Sequence, residues 1–193
     1  IGSRLFKQLS DELEDYTYHN QHGCVNTYMP SQWSEFLRLL PMYDRLGAPY
    51  EILDAAQIRS RWPALSPAPN IRGILDPNGG YSEPAEYIAA LSRRIRQLGV
   101  DVREGETVVD FQIDRDRVRG VRTKTEEFES NAVVCTVHAW ASKLLEQLDY
   151  KIPVKYFVHQ RYVTAPISQP LNWPPINAIS HCGYIRPASR NRI

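Results

Sequence analysis

The residue types that bind metals or attack substrates are sparse in this chain: five histidines and three cysteines in 193 residues. His19-x-x-His22-x-Cys24 gathers three potential ligands in one short stretch. A structural zinc takes four ligands, and no second half with matching spacing follows, so the stretch reads as a polar loop and no metal is expected. His181-Cys182 sets a base beside a thiol. Sequence neighbours seldom reach the geometry in which one takes the other's proton, and no nucleophile signature surrounds the pair, so hydrolase chemistry has no supporting motif. Cys24, Cys135 and Cys182 cannot all pair and form no C-x-x-C. They read as reduced thiols of an intracellular protein, and a cytoplasmic location is expected.

Charge narrows the ligand class. Lys and Arg number 23 against 22 Asp and Glu, a net charge of +1. That balance points away from nucleic acid and from anionic membrane surfaces, leaving a small molecule as the expected ligand. No apolar run approaches a membrane-spanning length. A charged fraction of 23% with four tryptophans argues against wholesale disorder. Oligomeric state is not legible.

The elements that would position a site follow from periodicity. Leu5, Leu9 and Leu13 recur at helical spacing with Phe6 beside them, and the pattern lapses through the polar stretch 17–27. Pro30-Ser31 opens a second helix carrying Trp33, Phe36, Leu37 and Leu40, with Pro41 and Gly47 bounding its later part. Asp54-Ala55-Ala56-Gln57 is a capping-box pattern for a short helix that ends near Trp62, because Pro63 disfavours helical geometry before it. Three prolines in 63–69 make a stiff connection, Ile71–Leu75 a short strand and Asp76–Gly80 a turn. Ser82 is the expected N-cap of a helix whose face is Tyr87, Leu91, Ile95 and Leu98, with Gly99 as its left-handed stop.

Beyond that helix the spacing predicts strands over 100–103, 107–113, 118–125 and 127–130, with a turn over 114–117. Ala132–Val137 is a continuous apolar run, as in a strand buried on both faces of a parallel sheet, and a helix is expected over 139–148. Residues 152–165 alternate and are aromatic-rich, as in a half-buried strand, and Gly183–Pro187 makes another. Helix, strand, three-stranded meander, buried strand and helix give an α/β or α+β class; periodicity alone does not establish a cofactor.

Read in order, Leu53-Asp54-x-x-Gln57 with Trp62-Pro63-x-Leu65, Gly80-Tyr81-Ser82-Glu83-Pro84-x-x-Tyr87-x-x-Ala90-Leu91, Gly99-Val100, Val108, Val118-Arg119-Gly120-Val121-x-Thr123 and Val133-Val134-x-x-Val137-x-Ala139-Trp140-x-x-x-Leu144-Leu145 form one series. The series resembles the FAD-dependent D-amino-acid oxidase superfamily, which includes glycine oxidase, sarcosine oxidase and dimethylglycine dehydrogenase. Pro153-Val154 and Gly183-Tyr184-Ile185-Arg186-Pro187 resemble the start of its substrate lobe. The resemblance implies oxidation of the C–N bond of an amine or amino acid, with hydride passing to FAD. It implies a partial Rossmann-like FAD-binding domain with a crossover β-meander, interleaved with part of an antiparallel substrate domain. Residues 1–20 and 81–148 would belong to the FAD-binding lobe, and residues 21–80 and 149–193 to the substrate lobe.

By position in that family, Val108, Thr136, Val137, His138 and Trp140 are the expected FAD neighbours, Val108 through its main chain at the adenine. Tyr184 and Arg186 are the expected substrate neighbours, Arg186 as a bidentate partner for a carboxylate. His159, Gln160 and Tyr162 share an alternating segment of which one parity would face the site. The family has glycine where this chain has His138; the histidine is either a surface loop residue or a polar group near the ribose or pyrophosphate. No three of the ten glycines match the G-x-G-x-x-G that holds a pyrophosphate at a helix N-terminus. The chain is therefore expected to be an internal piece of a longer flavoenzyme, inactive alone. A non-catalytic ligand-binding module of the same architecture is the alternative.

Overall fold

The computed structural model describes residues 2–193. In chain order the elements are α1 (Gly2–Glu12), β1 (Tyr18–His19), β2 (Cys24–Tyr28), α2 (Pro30–Leu37), α3 (Leu40–Leu46), β3 (Glu51–Asp54), α4 (Ala55–Arg61) and β4 (Arg72–Asp76). Then come β5 (Tyr81–Ser82), α5 (Pro84–Gln97), β6 (Val108–Asp114), β7 (Arg117–Thr123), β8 (Glu127–Glu129), α6 (Ala141–Leu145), β9 (Ile176–Ala178) and β10 (Gly183–Ile185). They form two compact units, one of Ile1–Gly99 with Tyr162–Ile193 and one of Val100–Arg161. The class is mixed α/β with several sheets, as the sequence predicts.

The first unit is built on a five-stranded sheet in the order β10-β9-β2-β4-β3. Only β2 and β9 run parallel; the remaining pairs are antiparallel. Val25, Leu53, Ile58, Trp62, Leu75 and Trp173 close over one another as its main core. α4 is set against that core by its capping box: the Gln57 amide donates to Asp54 Oδ1 at 2.8 Å, and the Asp54 amide donates to Gln57 Oε1 at 2.8 Å. A second cluster, Leu13, Tyr16 and Ala90 with Leu9, Tyr87 and Leu91 around it, packs α1 against α5.

The cap of α5 differs from expectation by one residue. Glu83 is the N-cap and Pro84 the first helical residue. Ser82 is in β5, paired with Tyr18, and shares a 2.7 Å hydrogen bond with the Tyr16 hydroxyl. An extended, ladder-paired Ser82 is too far back to cap. Gly99 follows the helix at φ 81, as expected of its left-handed stop.

Strands β1, β2 and β3 are not anticipated by the sequence. The polar stretch 17–27 hides β2, whose buried positions Val25 and Thr27 alternate with half-buried Cys24, Asn26 and Tyr28. Threonine and asparagine read as loop until their neighbours in the sheet are known.

The second unit contains the meander β6-β7-β8, fully antiparallel. Three expected strands are corrected. Residues 100–103, 132–137 and 152–165 pair with no strand among the described residues. Val134 is 84% exposed and Val158 96% exposed. An apolar run becomes a buried strand only with a ladder on each side, and here no neighbouring strand supplies one.

Candidate functional site

Two places carry the residues singled out from the sequence, one in each unit. In the second unit, β6 opens with a register shift between Val108 and Asp110, so Val109 has no partner of its own on β7. Its carbonyl accepts instead from Gln147 Nε2 at 2.8 Å, fastening the strand to the segment after α6. A bulge of this kind re-aims the strand end, as bulges beside binding sites do. Between these elements lies a groove of about 680 Å³ lined by residues 106–109, Val137, Trp140, Lys143, Leu144 and Gln147.

Val108, Val137 and Trp140 thus line one groove; Thr136 and His138 flank Val137 in the chain without lining it. The walls are apolar, and the Trp140 indole is 73% exposed. His138 begins a short 3₁₀ turn, His138–Trp140, with φ of 49. That left-handed backbone is what a glycine at this position would adopt freely, and a histidine holds it at a cost. Glu106 and Lys143 supply the groove's charge. The Thr125 hydroxyl donates to Glu106 Oε2 at 2.8 Å. Hydrogen bonds from Thr125 and Thr123 hold the Glu106 carboxyl below the usual carboxylate range.

In the first unit, Arg186 is buried and already paired. Its Nη1 and Nη2 donate to Glu83 Oε1 and Oε2 at 2.8 and 3.2 Å, and Nη1 also reaches the Pro187 carbonyl at 2.8 Å. The Ser189 amide donates to Glu83 Oε1 at 2.8 Å, and the guanidinium lies 4.7 Å from the Tyr81 ring centroid. Tyr81 in turn stacks on His19 at 4.8 Å. The bidentate capacity that would suit a substrate carboxylate is therefore spent on Glu83, which stands at the N-cap position of α5. Tyr184 stands on β10 two residues away, 57% exposed. His159 and Gln160 lie in the irregular stretch before Tyr162, without a ladder to select one parity.

Cys24 is a thiol rather than a thiolate: burial, with Asp76 nearby, pushes it up to about 11. Among the described residues, no group of three or more His, Cys, Asp or Glu converges on a common point. Glu83, Glu106 and Val109 are the site residues that sequence reasoning misses. The Glu83–Arg186 pair spans 103 positions and has no local signature. Glu106 shares the parity of Val108 in the run entering β6, a signal that was available.

The sequence profile of a family described as FAD dependent oxidoreductase, DAO, matches residues 2–193. A D-amino acid dehydrogenase of Rhizobium rhizogenes is 33% identical over 130 residues, covering 66% of this chain and 31% of the relative. A monomeric sarcosine oxidase of a Bacillus species is 29% identical over 153 residues, covering 77% of this chain and 39% of the relative. Among solved structures, L-proline dehydrogenase from P. horikoshii superposes with a TM-score of 0.85 at 21% identity, over 98% of this chain and 51% of that one. Glycine oxidase from Bacillus cereus gives 0.77 at 22% identity, over 98% and 53%. The chain thus spans well under two thirds of each of these proteins, and the two structures establish the fold alone.

Proposed function

Because this chain belongs to the DAO family of FAD-dependent oxidoreductases, we propose that it is the central part of an enzyme oxidising the C–N bond of an amine or amino acid. The observation that carries the reading is the profile match across 2–193, together with the groove that joins Val108, Val137 and Trp140. The cofactor of the family is FAD. When bound, FAD supplies an acceptor for the hydride leaving the substrate α-carbon.

The groove fits the adenosine half of that cofactor. Val108, Val109, Val137, Trp140 and Leu144 supply apolar surface suited to a purine, and Lys143 offers a positive charge to phosphate. The turn that begins at His138 carries Val137 and Trp140 to it, the Trp140 amide donating to the Val137 carbonyl at 3.1 Å, and Thr136 precedes Val137 in the chain. The pyrophosphate contacts are assigned to residues outside this chain, since its glycines form no G-x-G-x-x-G. Residues 1–20 and 81–148 are assigned to the FAD lobe, and residues 21–80 and 149–193 to the substrate lobe. On the substrate side, Tyr184 is the hydrogen-bonding candidate. Arg186, occupied by Glu83, serves by holding the strand that carries Tyr184; a substrate carboxylate would have to displace Glu83 to reach it.

No helix among the described residues is long and apolar enough to cross a membrane. The three free thiols suit a reducing compartment, and we place the protein in the cytoplasm. The test is anaerobic addition of secondary amines and of D- and L-amino acids to the FAD-loaded polypeptide that carries these residues. Loss of the flavin absorbance with one of these substrates supports the reading, and an inert spectrum across the panel opposes it. The alternative is a non-catalytic ligand-binding module of the same architecture. That alternative expects a cooperative melt of the 193-residue chain unmoved by FAD.

A further inference from the structure

Asn78-Gly79 lies in the turn between β4 and β5 of the first unit. An asparagine followed by glycine carries a reaction of its own. The glycine backbone nitrogen, once deprotonated, attacks the asparagine Cγ. The new N–Cγ bond closes a succinimide ring, the Cγ–Nδ2 bond breaks, and the amide nitrogen leaves as ammonia. Water then opens the ring at either carbonyl, giving aspartate or an isoaspartate whose main chain runs through the side-chain carbon. Glycine favours the attack because it has no Cβ to block the approach.

The two reacting groups stand in opposite environments. Asn78 is exposed, whereas Gly79 is buried. The Gly79 N–H donates to the Asp76 carbonyl at 3.1 Å, which keeps its proton in place and away from solvent base. A Cβ on Gly79 would meet Cys24 Cβ and stand 3.1 Å from the Cys24 amide nitrogen, so this main chain is packed on β2 with no room to swing toward Asn78 Cγ. Asn78 is itself tied on two sides. Its amide donates to Asp76 Oδ1 at 2.9 Å, and its carbonyl accepts from the Tyr18 hydroxyl at 3.2 Å. We propose that Asn78-Gly79 is a deamidation site held shut by the fold, reacting only when the turn releases Asp76 and Cys24. The product accumulates with the time the turn spends open. It does not fit back: either form sets a new negative charge beside the Asp76 carboxyl, and isoaspartate lengthens a main chain packed on Cys24. The half-buried Cys24 thiol is thereby uncovered.

The experiment ages the full polypeptide that carries these residues in mildly alkaline buffer, folded and in urea. Fragmentation mass spectrometry of the peptide bearing residue 78 separates asparagine, aspartate and isoaspartate. Conversion in the folded chain is expected to be at least about tenfold slower than in urea, since attack waits on a local opening. In urea the rate should match that of a synthetic peptide of residues 73–83 in the same solution. Tyr18→Phe removes one tether of Asn78 and should speed conversion in the folded chain while leaving the rate in urea unchanged. Alkylation of Cys24 should rise with the converted fraction, and Asn78→Ser, which has no amide to lose, should show no such rise on ageing. Equal rates folded and in urea overturn the protection by the turn, and no conversion in urea overturns the site itself. A Cys24 alkylation rate indifferent to conversion overturns the claim that the product does not fit back. No flavin signal enters these readouts, so their failure is separate from failure of the FAD reading.

Discussion

Replacing Glu83 by alanine tests the most heavily bonded polar site in the first unit. The side chains of Arg186 and Glu83 are 9% and 12% exposed. Removing the carboxylate takes both Glu83 oxygens from a buried guanidinium that keeps the Pro187 carbonyl and the Tyr81 ring among its partners. It also strips an acceptor from the Ser189 amide and the negative N-cap from α5. Breaking one side of a buried pair costs about 3–5 kcal/mol, and loss of the charge at the helix N-terminus adds about 0.5 kcal/mol. The two overlap, so the expected loss is about 4 kcal/mol, which for a chain of this size lowers the melting temperature by roughly 10 °C. Glu83→Gln keeps the shape and one acceptor and should cost about half as much. Because a buried pair replaced on both sides is far less damaging, Glu83→Gln with Arg186→Met should be less destabilised than the two single losses summed. The assay is urea and thermal unfolding of all variants, read by far-UV circular dichroism. A loss below about 1 kcal/mol for Glu83→Ala, or strict additivity in the cycle, would refute the claim that this pair is a buried strut.

Three further outcomes follow from single positions. A Cβ on Gly120 would collide with the Phe128 carbonyl oxygen of β8, so Gly120→Ala should cost about 1–3 kcal/mol and speed amide exchange in β7 and β8. His138→Gly relieves the left-handed backbone at φ 49 and, after the extra freedom glycine gives the unfolded chain, should stabilise the second unit by about 0.5–1 kcal/mol in a proteolysis-monitored urea titration. Glu51 is held below the usual carboxylate range by hydrogen bonds from Arg61 at 2.7 and 2.8 Å. A depressed carboxyl contributes stability above its unfolded value near pH 4.3, lost as pH falls through its folded value. Arg61→Gln should therefore lower stability slightly at neutral pH and leave it unchanged at pH values below the folded one, so that the acid limb flattens by a small amount, since the pair is exposed.

Local signals were legible wherever one segment decides its own geometry. The Asp54–Gln57 capping box, the Pro63 stop and the Gly99 stop all read correctly, because each depends on neighbours in sequence. The meander was legible for the same reason: β6, β7 and β8 pair with the strands next to them. Misreadings arose where distant chain decides. β2 owes its strand to β4 and β9, and β9 comes some 150 positions later. Ala132–Val137 has the composition of a buried strand, yet with no ladder beside it the run stays irregular and Val134 is exposed. The candidate site divides the same way. Val108, Val137 and Trp140, which the ordered motifs single out, line one groove, whereas the Glu83–Arg186 pair has no signature in either local stretch.

The claim on which the account rests is that these residues help to hold FAD. The most direct measurement is the visible spectrum of the polypeptide that carries them, purified and then incubated with FAD and desalted. The account predicts a flavin spectrum at one FAD per chain, and weakened retention when Val137 and Trp140 are replaced by serine and alanine. A colourless protein after incubation, or FAD retained equally well by that double variant, would contradict it.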